Sequence, residues 1–203
     1  MSHISTNSPH AWILAARPKT LTGAAVPVMI GISAAWADGF FRPVPALLCF
    51  LFAFLMQIDA NFINDYYDFR KGLDDEKRLG PKRACAEGWI TLPAMRRGII
   101  CTTLLSCLTG LPLVWYGGWT MVLVGVCCVV FCFLYTTCMA RLGLGDLLVL
   151  VFFGLVPVGA TYYLQSGTVV PEVWALSLVC GLVIDCLLVV NNYLSLIHIS
   201  EPT

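Results

Sequence analysis

Residues 44–63 read VPALLCFLFAFLMQIDANFI, a run of twenty residues in which Asp59 is the one charged group. About 20 apolar residues are what an α-helix needs to cross the hydrocarbon layer of a bilayer. Comparable runs recur at about 20–37, 98–116, 119–139, 147–164 and 173–193. In lipid, backbone N–H and C=O groups must be paired within the segment itself, so such runs fold as helices. The predicted class is an all-α polytopic membrane protein with six transmembrane helices. Composition agrees with this. Of 203 residues, 59% are hydrophobic and 12% are charged, against roughly a quarter charged in a soluble domain. A soluble chain this apolar could not cover its own surface. The runs are joined by turn material, DGFFRP, YGG and QSGTVVP, without a soluble domain or low-complexity linker. The start, MSHISTNSPHAW, lacks the positive charge of a signal peptide. The first span is therefore expected to be retained, with Pro18 in its first turn, where a missing N–H costs nothing.

Charge placement gives the orientation. Arg17 and Lys19, the eight bases between 70 and 97, and Arg141 fall on one side of a six-span chain, leaving Arg42 alone on the other. The basic side is expected to be cytoplasmic. A formal net charge of zero argues against a nucleic-acid partner. Nine of the ten cysteines lie in apolar runs and no CxxC pair occurs. They read as small apolar packers rather than metal or redox groups. The three histidines, His3, His10 and His198, are terminal, so no histidine-based metal site or triad is visible.

Lipid crossing does not explain the end of the second run, NDYYDFRKGLDDEKRLGPKR, at 64–83. At about 100° per residue, Asn61, Asn64, Asp65 and Asp68 share one helical stripe. Polar groups inside the end of a membrane helix are costly and mark function. Asn64 and Asp68 are four apart, which sets an amide oxygen beside a carboxylate. Such oxygens suit Mg²⁺, which takes one or two protein carboxylates and completes its shell with water and phosphate. Gly72 can end the helix, and Asp74 can then fold back toward the same ion. The basic, glycine-containing loop after it matches a diphosphate ligand. Tyr66 and Tyr67 can line an apolar channel or face a cation with their rings.

NDYYDFRKGLD resembles the first aspartate-rich motif of the UbiA superfamily of intramembrane aromatic prenyltransferases. ARPKTL (16–21), RLGPKR (78–83), RLGLGDLLVLVFFG (141–154), TYYLQ (161–165) and NNY (191–193) extend the resemblance in the family's order over most of the chain. They resemble most the menaquinone-pathway branch that prenylates 1,4-dihydroxy-2-naphthoate. One departure from the wider superfamily is Gly72, which stands where its last acid usually lies. The acid here is Asp74, as in that branch. Another is length, since the family has nine spans.

The resemblance implies a reaction. Mg²⁺ and bases hold a polyprenyl diphosphate and stabilise the departing pyrophosphate. The allylic cation is attacked by the aromatic acceptor, dihydroxynaphthoate, at the carbon bearing its carboxylate. Loss of CO₂ and oxidation give demethylmenaquinone. By motif position Asn64, Asp68 and Asp74 are the metal-binding residues, with Asp65 supporting them. Lys71, Arg78 and Arg83 are expected to contact the diphosphate, Tyr67 the substrate, and Arg141 the acceptor's carboxylate. Asn192 is expected in the second half of the site, and Lys19 is a further candidate. The implied location is a bacterial inner membrane, with the site loops in the cytoplasm. Two alternatives stand beside this reading. One is another aromatic acceptor such as 4-hydroxybenzoate. The other is a transporter fragment with an intramembrane cation site built on Asp59 and Asp185. Those two carboxyls are also expected to face the bundle interior and to approach each other closely enough to share a proton. At the C-terminus, Leu194 and Ser195 stand where the family's second motif has Arg and Asp. Residues 1–193 thus read as a partial UbiA-like domain and 194–203 as a non-native tail, and the chain as it stands is expected to be inactive.

Overall fold

The computed structural model describes residues 4–72, 82–137 and 145–200. The described residues are helical throughout apart from turns and short connections. Helix α1 spans Pro9–Ala16 and, after the 3₁₀ turn Pro18–Thr20, α2 spans Leu21–Ala37. Helix α3 is Pro43–Arg70 and α4 is Leu92–Gly110; the short α5, Leu113–Gly117, leads into α6, Thr120–Thr137. Helix α7, Gly145–Val149, continues through a π-helical stretch, Leu150–Leu155, into α8, Val156–Ser166, and α9 is Pro171–Ser200. Proline opens many of these helices: Pro9, Pro18, Pro43, Pro93 and Pro171 all sit in first turns, where the fixed φ helps and the N–H is not needed.

The described residues of the six expected spans are helical, apart from the turn at Leu111 and Pro112 and the start of the fourth at Trp119. Pro9–Ala37, Pro43–Arg70, Leu92–Gly117 and Gly145–Ser166 are long and apolar enough to cross a membrane, and Thr120–Tyr135 is a shorter apolar helix. The chain is an all-helical polytopic membrane protein. The boundaries differ from the expected ones in two instructive ways. The first span is preceded by a separate helix, α1. Ser8 caps it by accepting from the Ala11 N–H at 3.2 Å, and Arg17, at φ +50°, separates it from the 3₁₀ turn and α2. Helix α3 overruns its apolar run by seven residues, to Arg70, so 64–70 belong to the helix itself.

The helices alternate in direction, and side-chain contacts confirm which loops share an end. At one end, the Tyr162 hydroxyl donates to Asp38 Oδ2 at 2.6 Å and the Arg42 N–H to Gln165 Oε1. Trp115 and Trp119 stand 92% and 83% exposed there, as aromatic side chains do at a membrane interface. At the other end the Asn7 N–H donates to the Trp89 carbonyl at 2.7 Å and the Thr91 N–H to Asn7 Oδ1 at 3.1 Å, tying the N-terminus to the 82–91 return. A core of Ala11, Ala15, Phe62, Ile63, Cys85, Ile90, Met95 and Ile99 fills this end.

Two close approaches set the bundle's geometry. A side chain at Gly31 would meet the Val158 carbonyl at 2.7 Å, so α2 and α8 touch backbone to backbone. A side chain at Gly154 would meet the Ser177 carbonyl at 2.6 Å and Gly181 Cα at 2.7 Å. Small residues at such crossings are how membrane helices gain dispersion contact without a hydrophobic driving force. The π stretch lies on this second crossing.

Asp59 and Asp185 do not pair as expected. Asp59 is buried, and its two oxygens accept from the hydroxyls of Thr102 at 2.6 Å and Thr103 at 2.7 Å on α4. Asp185 Oδ1 is buried without a hydrogen-bond partner among the described residues. The physical reason is proximity. Helix α3 packs against α4 over much of its length, so two hydroxyls one residue apart satisfy Asp59 before any distant helix can.

Candidate active site

The polar stripe at the end of α3 separates into two pairs with different work. Asn61 and Asp65, four apart, are 4% and 1% exposed and look inward. The Asn61 amide donates to the Ala16 carbonyl and to Thr20 Oγ1, both at 2.9 Å. It therefore closes the break between α1 and α2, where helix-end groups lack partners. The Asp65 carboxylate accepts from the backbone N–H groups of Ala84 at 2.8 Å and Cys85 at 3.0 Å. Both oxygens are thus used to hold the returning chain against α3.

Asn64 and Asp68, also four apart, face elsewhere. Asn64 lines a cavity of about 820 Å³. Asp68 Oδ2 is paired with Arg83 Nη1 at 2.7 Å, and the same guanidinium nitrogen donates to the Asn64 carbonyl at 2.7 Å. Arg83 is buried. Asp65 places it there by pinning Ala84, the next residue. Lys71 Nζ lies 6.0 Å from the Tyr67 ring centroid, and Tyr67 packs edge-on to Tyr66 at 5.3 Å. Tyr67 packs against the core near α1 and is not among the residues that line the cavity. Asp74, Arg78 and Arg141 lie outside the described residues. Asn192 lies on α9, near its end, and Lys19 is exposed in the 3₁₀ turn.

The cavity is bounded by α2, α3, α6 and α8, with contributions from the α4–α5 corner, the π stretch and α9, and is almost wholly apolar. Its size falls within the roughly 300–1,000 Å³ typical of small-molecule sites. Thr20, Gln57 and Asn64 lie at one end, where Gln57 Nε2 donates to Thr20 Oγ1 at 3.4 Å. From there the walls run through Ala24, Pro27, Val28, Ala53 and Met56 to Cys49, Leu113, Met121 and Leu164, the cluster near the opposite end of the bundle. Pro27 has no N–H to give the Gly23 carbonyl, and both residues lie in the wall. Tyr135 on α6 also lines it. Gln57, Thr20 and Tyr135 were not among the residues expected from the sequence. Gln57 was recoverable, because 57, 61, 64 and 68 repeat at helical spacing in an otherwise apolar stretch.

The arrangement assigns Asp65 a positioning role with a measurable consequence. Asp65→Asn replaces one accepting oxygen by an N–H facing an N–H. Hydrogen bonds to a charged group contribute about 1.5–3 kcal/mol, so exchange of the Ala84 and Cys85 amides is expected to rise roughly ten- to hundredfold by hydrogen–deuterium exchange. Unchanged protection of those two amides would contradict the role.

A model of the UbiA prenyltransferase family matches residues 24–196. The chain is 37% identical over 201 residues to the 1,4-dihydroxy-2-naphthoate octaprenyltransferase of Escherichia coli (strain K12), covering 95% of this chain and 65% of that one. It is 34% identical to the protein of the same name from Haemophilus influenzae (strain ATCC 51907 / DSM 11121 / KW20 / Rd), over 89% of this chain and 62% of the relative. It is also 34% identical to that of Mycobacterium tuberculosis (strain ATCC 25618 / H37Rv), over 89% and 63%. The chain spans just under two thirds of the length of these relatives. With the family model matching across 24–196, the chain belongs to the UbiA prenyltransferase family.

Proposed function

We propose that the chain carries the prenyl-diphosphate site of an enzyme that transfers a polyprenyl group to 1,4-dihydroxy-2-naphthoate in menaquinone biosynthesis. One observation carries the reading: a long apolar cavity with Thr20, Gln57 and Asn64 at one end, where Arg83, the partner of Asp68, donates to the Asn64 carbonyl. An allylic diphosphate has the same polarity, a charged head on an apolar tail. The similarity to 1,4-dihydroxy-2-naphthoate octaprenyltransferases supports this choice of acceptor.

The donor set fits Mg²⁺. Asn64 and Asp68 offer hard oxygens one turn apart, and Asp74 is the third member of the proposed set. Among the described residues no three His, Cys, Asp or Glu groups gather in one place. These donors therefore account for one side of a site, with water and diphosphate oxygens supplying the rest, as is usual for this ion. When bound, the ion contributes positive charge where the leaving pyrophosphate becomes more negative. Asn64 and Asp68 hold the head of the substrate at the cavity mouth. Arg83, paired with Asp68, turns toward the diphosphate when that carboxylate is recruited. Lys71 and Arg78 add charge from the same loop, and Arg141 is the candidate for the acceptor's carboxylate. The cavity wall keeps water from the allylic carbon. The C–O bond breaks with its electron pair on pyrophosphate. The ring carbon bearing the carboxylate forms the new C–C bond, and loss of CO₂ returns its electrons to the ring. The product is the quinol, which an external oxidant converts to demethylmenaquinone. No protein nucleophile takes part. A transporter built on Asp59 is disfavoured, because both its oxygens are occupied by Thr102 and Thr103.

The test is release of CO₂ and pyrophosphate from dihydroxynaphthoate and a polyprenyl diphosphate, in this chain and in a version extended to the length of its relatives. In the active form Asp68→Ala is expected to lower turnover by about 10²-fold or more, the scale of a lost preorganised electrostatic contact. Tyr67→Phe is expected to have a small effect, since Tyr67 supplies none of the oxygens of the proposed metal set. Parental turnover by Asp68→Ala at limiting Mg²⁺ would refute the assignment.

The basic side is proposed to be cytoplasmic, in a bacterial inner membrane, on the placement of the Lys and Arg residues. Cys85 is buried and is a poor reporter of this, whereas Glu87 is exposed on the same loop. Glu87→Cys is expected to react with an impermeant maleimide only after the cells are opened. Ready labelling of intact cells would invert the topology.

A further inference from the structure

Between the last turns of α3 and the start of α4 lies a second concavity, of about 540 Å³, lined by Tyr66, Leu92, Pro93, Arg96, Arg97 and Ile100. It shares no lining residue with the apolar cavity. Arg96 and Arg97 are exposed. Arg97 Nε donates to the Pro93 carbonyl at 3.4 Å, which leaves its other donors available. Arg70, also exposed, brings a third guanidinium to 5.7 Å from the centroid of the Tyr66 ring. Among the described residues no carboxylate pairs with any of these three arginines. Toward the membrane interior, Ile100, Leu104 and Leu108 succeed one another at i,i+4 steps and are 51%, 58% and 63% exposed, forming one apolar ridge on α4.

We propose that this groove is a site for an anionic phospholipid of the adjoining leaflet. Its phosphate would sit between Arg96 and Arg97, and one acyl chain would lie along Ile100, Leu104 and Leu108. The general excess of bases on one side of a membrane protein accounts for the sign of the charge. It does not account for two arginines lining one concavity that is walled by a tyrosine and continuous with a lipid-facing ridge. The guanidinium fork matches phosphate oxygens two at a time. Tyrosine is at home at headgroup depth, and juxtamembrane bases attract anionic lipid. A soluble phosphate would use the arginines but not the ridge, which is why the occupant is a lipid. Tyr66 stands two residues from both Asn64 and Asp68, so a bound lipid would brace the turn that carries them. The inference requires that the chain span a membrane and does not depend on prenyl transfer.

The test is native mass spectrometry of the delipidated chain in detergent, titrated with phosphatidylglycerol or with phosphatidylcholine of the same acyl chains. The expected result is a single phosphatidylglycerol adduct at concentrations where phosphatidylcholine gives none. Binding is expected to be about thirtyfold weaker in Arg96→Gln/Arg97→Gln, in line with the attraction the two bases together contribute near a lipid surface. Excess inorganic phosphate should leave the adduct in place. Equal binding of the two lipids, undiminished binding by the double variant, or displacement by inorganic phosphate would overturn the proposal. If the double variant fails to fold, the two-lipid comparison on the unsubstituted chain decides the matter alone.

Discussion

The Asp65 carboxylate, accepting from two successive backbone amides, is the contact that fixes the site's geometry. A charge buried at the end of a membrane helix is tolerated only when its oxygens are satisfied. Here the chain itself satisfies them by folding back over α3. That return brings Ala84 and Cys85 into the core beside Phe62 and Ile63. It delivers Arg83 to Asp68 and to the Asn64 carbonyl. It also sets Trp89 and Thr91 where Asn7 can tie down the N-terminus. Without the two amides on Asp65, nothing in the apolar packing alone would fix the position of Arg83 to within a hydrogen bond.

The same economy governs the other polar groups inside the bundle. Asn61 closes the helix break at Arg17–Thr20, Asp59 is held by two threonines of α4, and Tyr162 locks onto Asp38 at the far end. Each removes a polar group from lipid by joining two elements that are distant in sequence. Asn64 and Asp68 differ, since Asn64 lines the cavity and Asp68 meets the long side chain of Arg83 rather than a backbone cap. A site that must exchange partners when substrate arrives is best built from such groups, with the fixed ones behind them.

Much of this was legible in the sequence. The apolar runs and turn residues located the spans because lipid leaves a segment little choice but helix. The dense motif at 64–68 marked the candidate site because polar residues there have no other cheap explanation. The division of that stripe was not legible. Asn61, Asn64, Asp65 and Asp68 share a face by helical spacing. Which of them is spent on structure depends on where 82–85 returns, a contact nineteen or twenty residues away. Helix α1 was missed because its eight residues are too few for a span. The break at Arg17 also rests on a left-handed backbone in a residue that does not advertise one. The expected Asp59–Asp185 pair failed for a related reason. Equal depth in the membrane says nothing about which helices are neighbours.

If the head of a prenyl diphosphate sits at Asn64 and Asp68, its tail must occupy the apolar cavity. Photocrosslinking tests this placement, using a prenyl diphosphate with a diazirine at the far end of the chain, with Mg²⁺, and peptide mapping of the products. The expected result is labelling of cavity residues such as Val28, Cys49, Leu113 and Leu164, suppressed by unlabelled prenyl diphosphate. Labelling confined to the lipid-facing surface, at Leu104, Leu108 or Trp115, with none in the cavity, would contradict it.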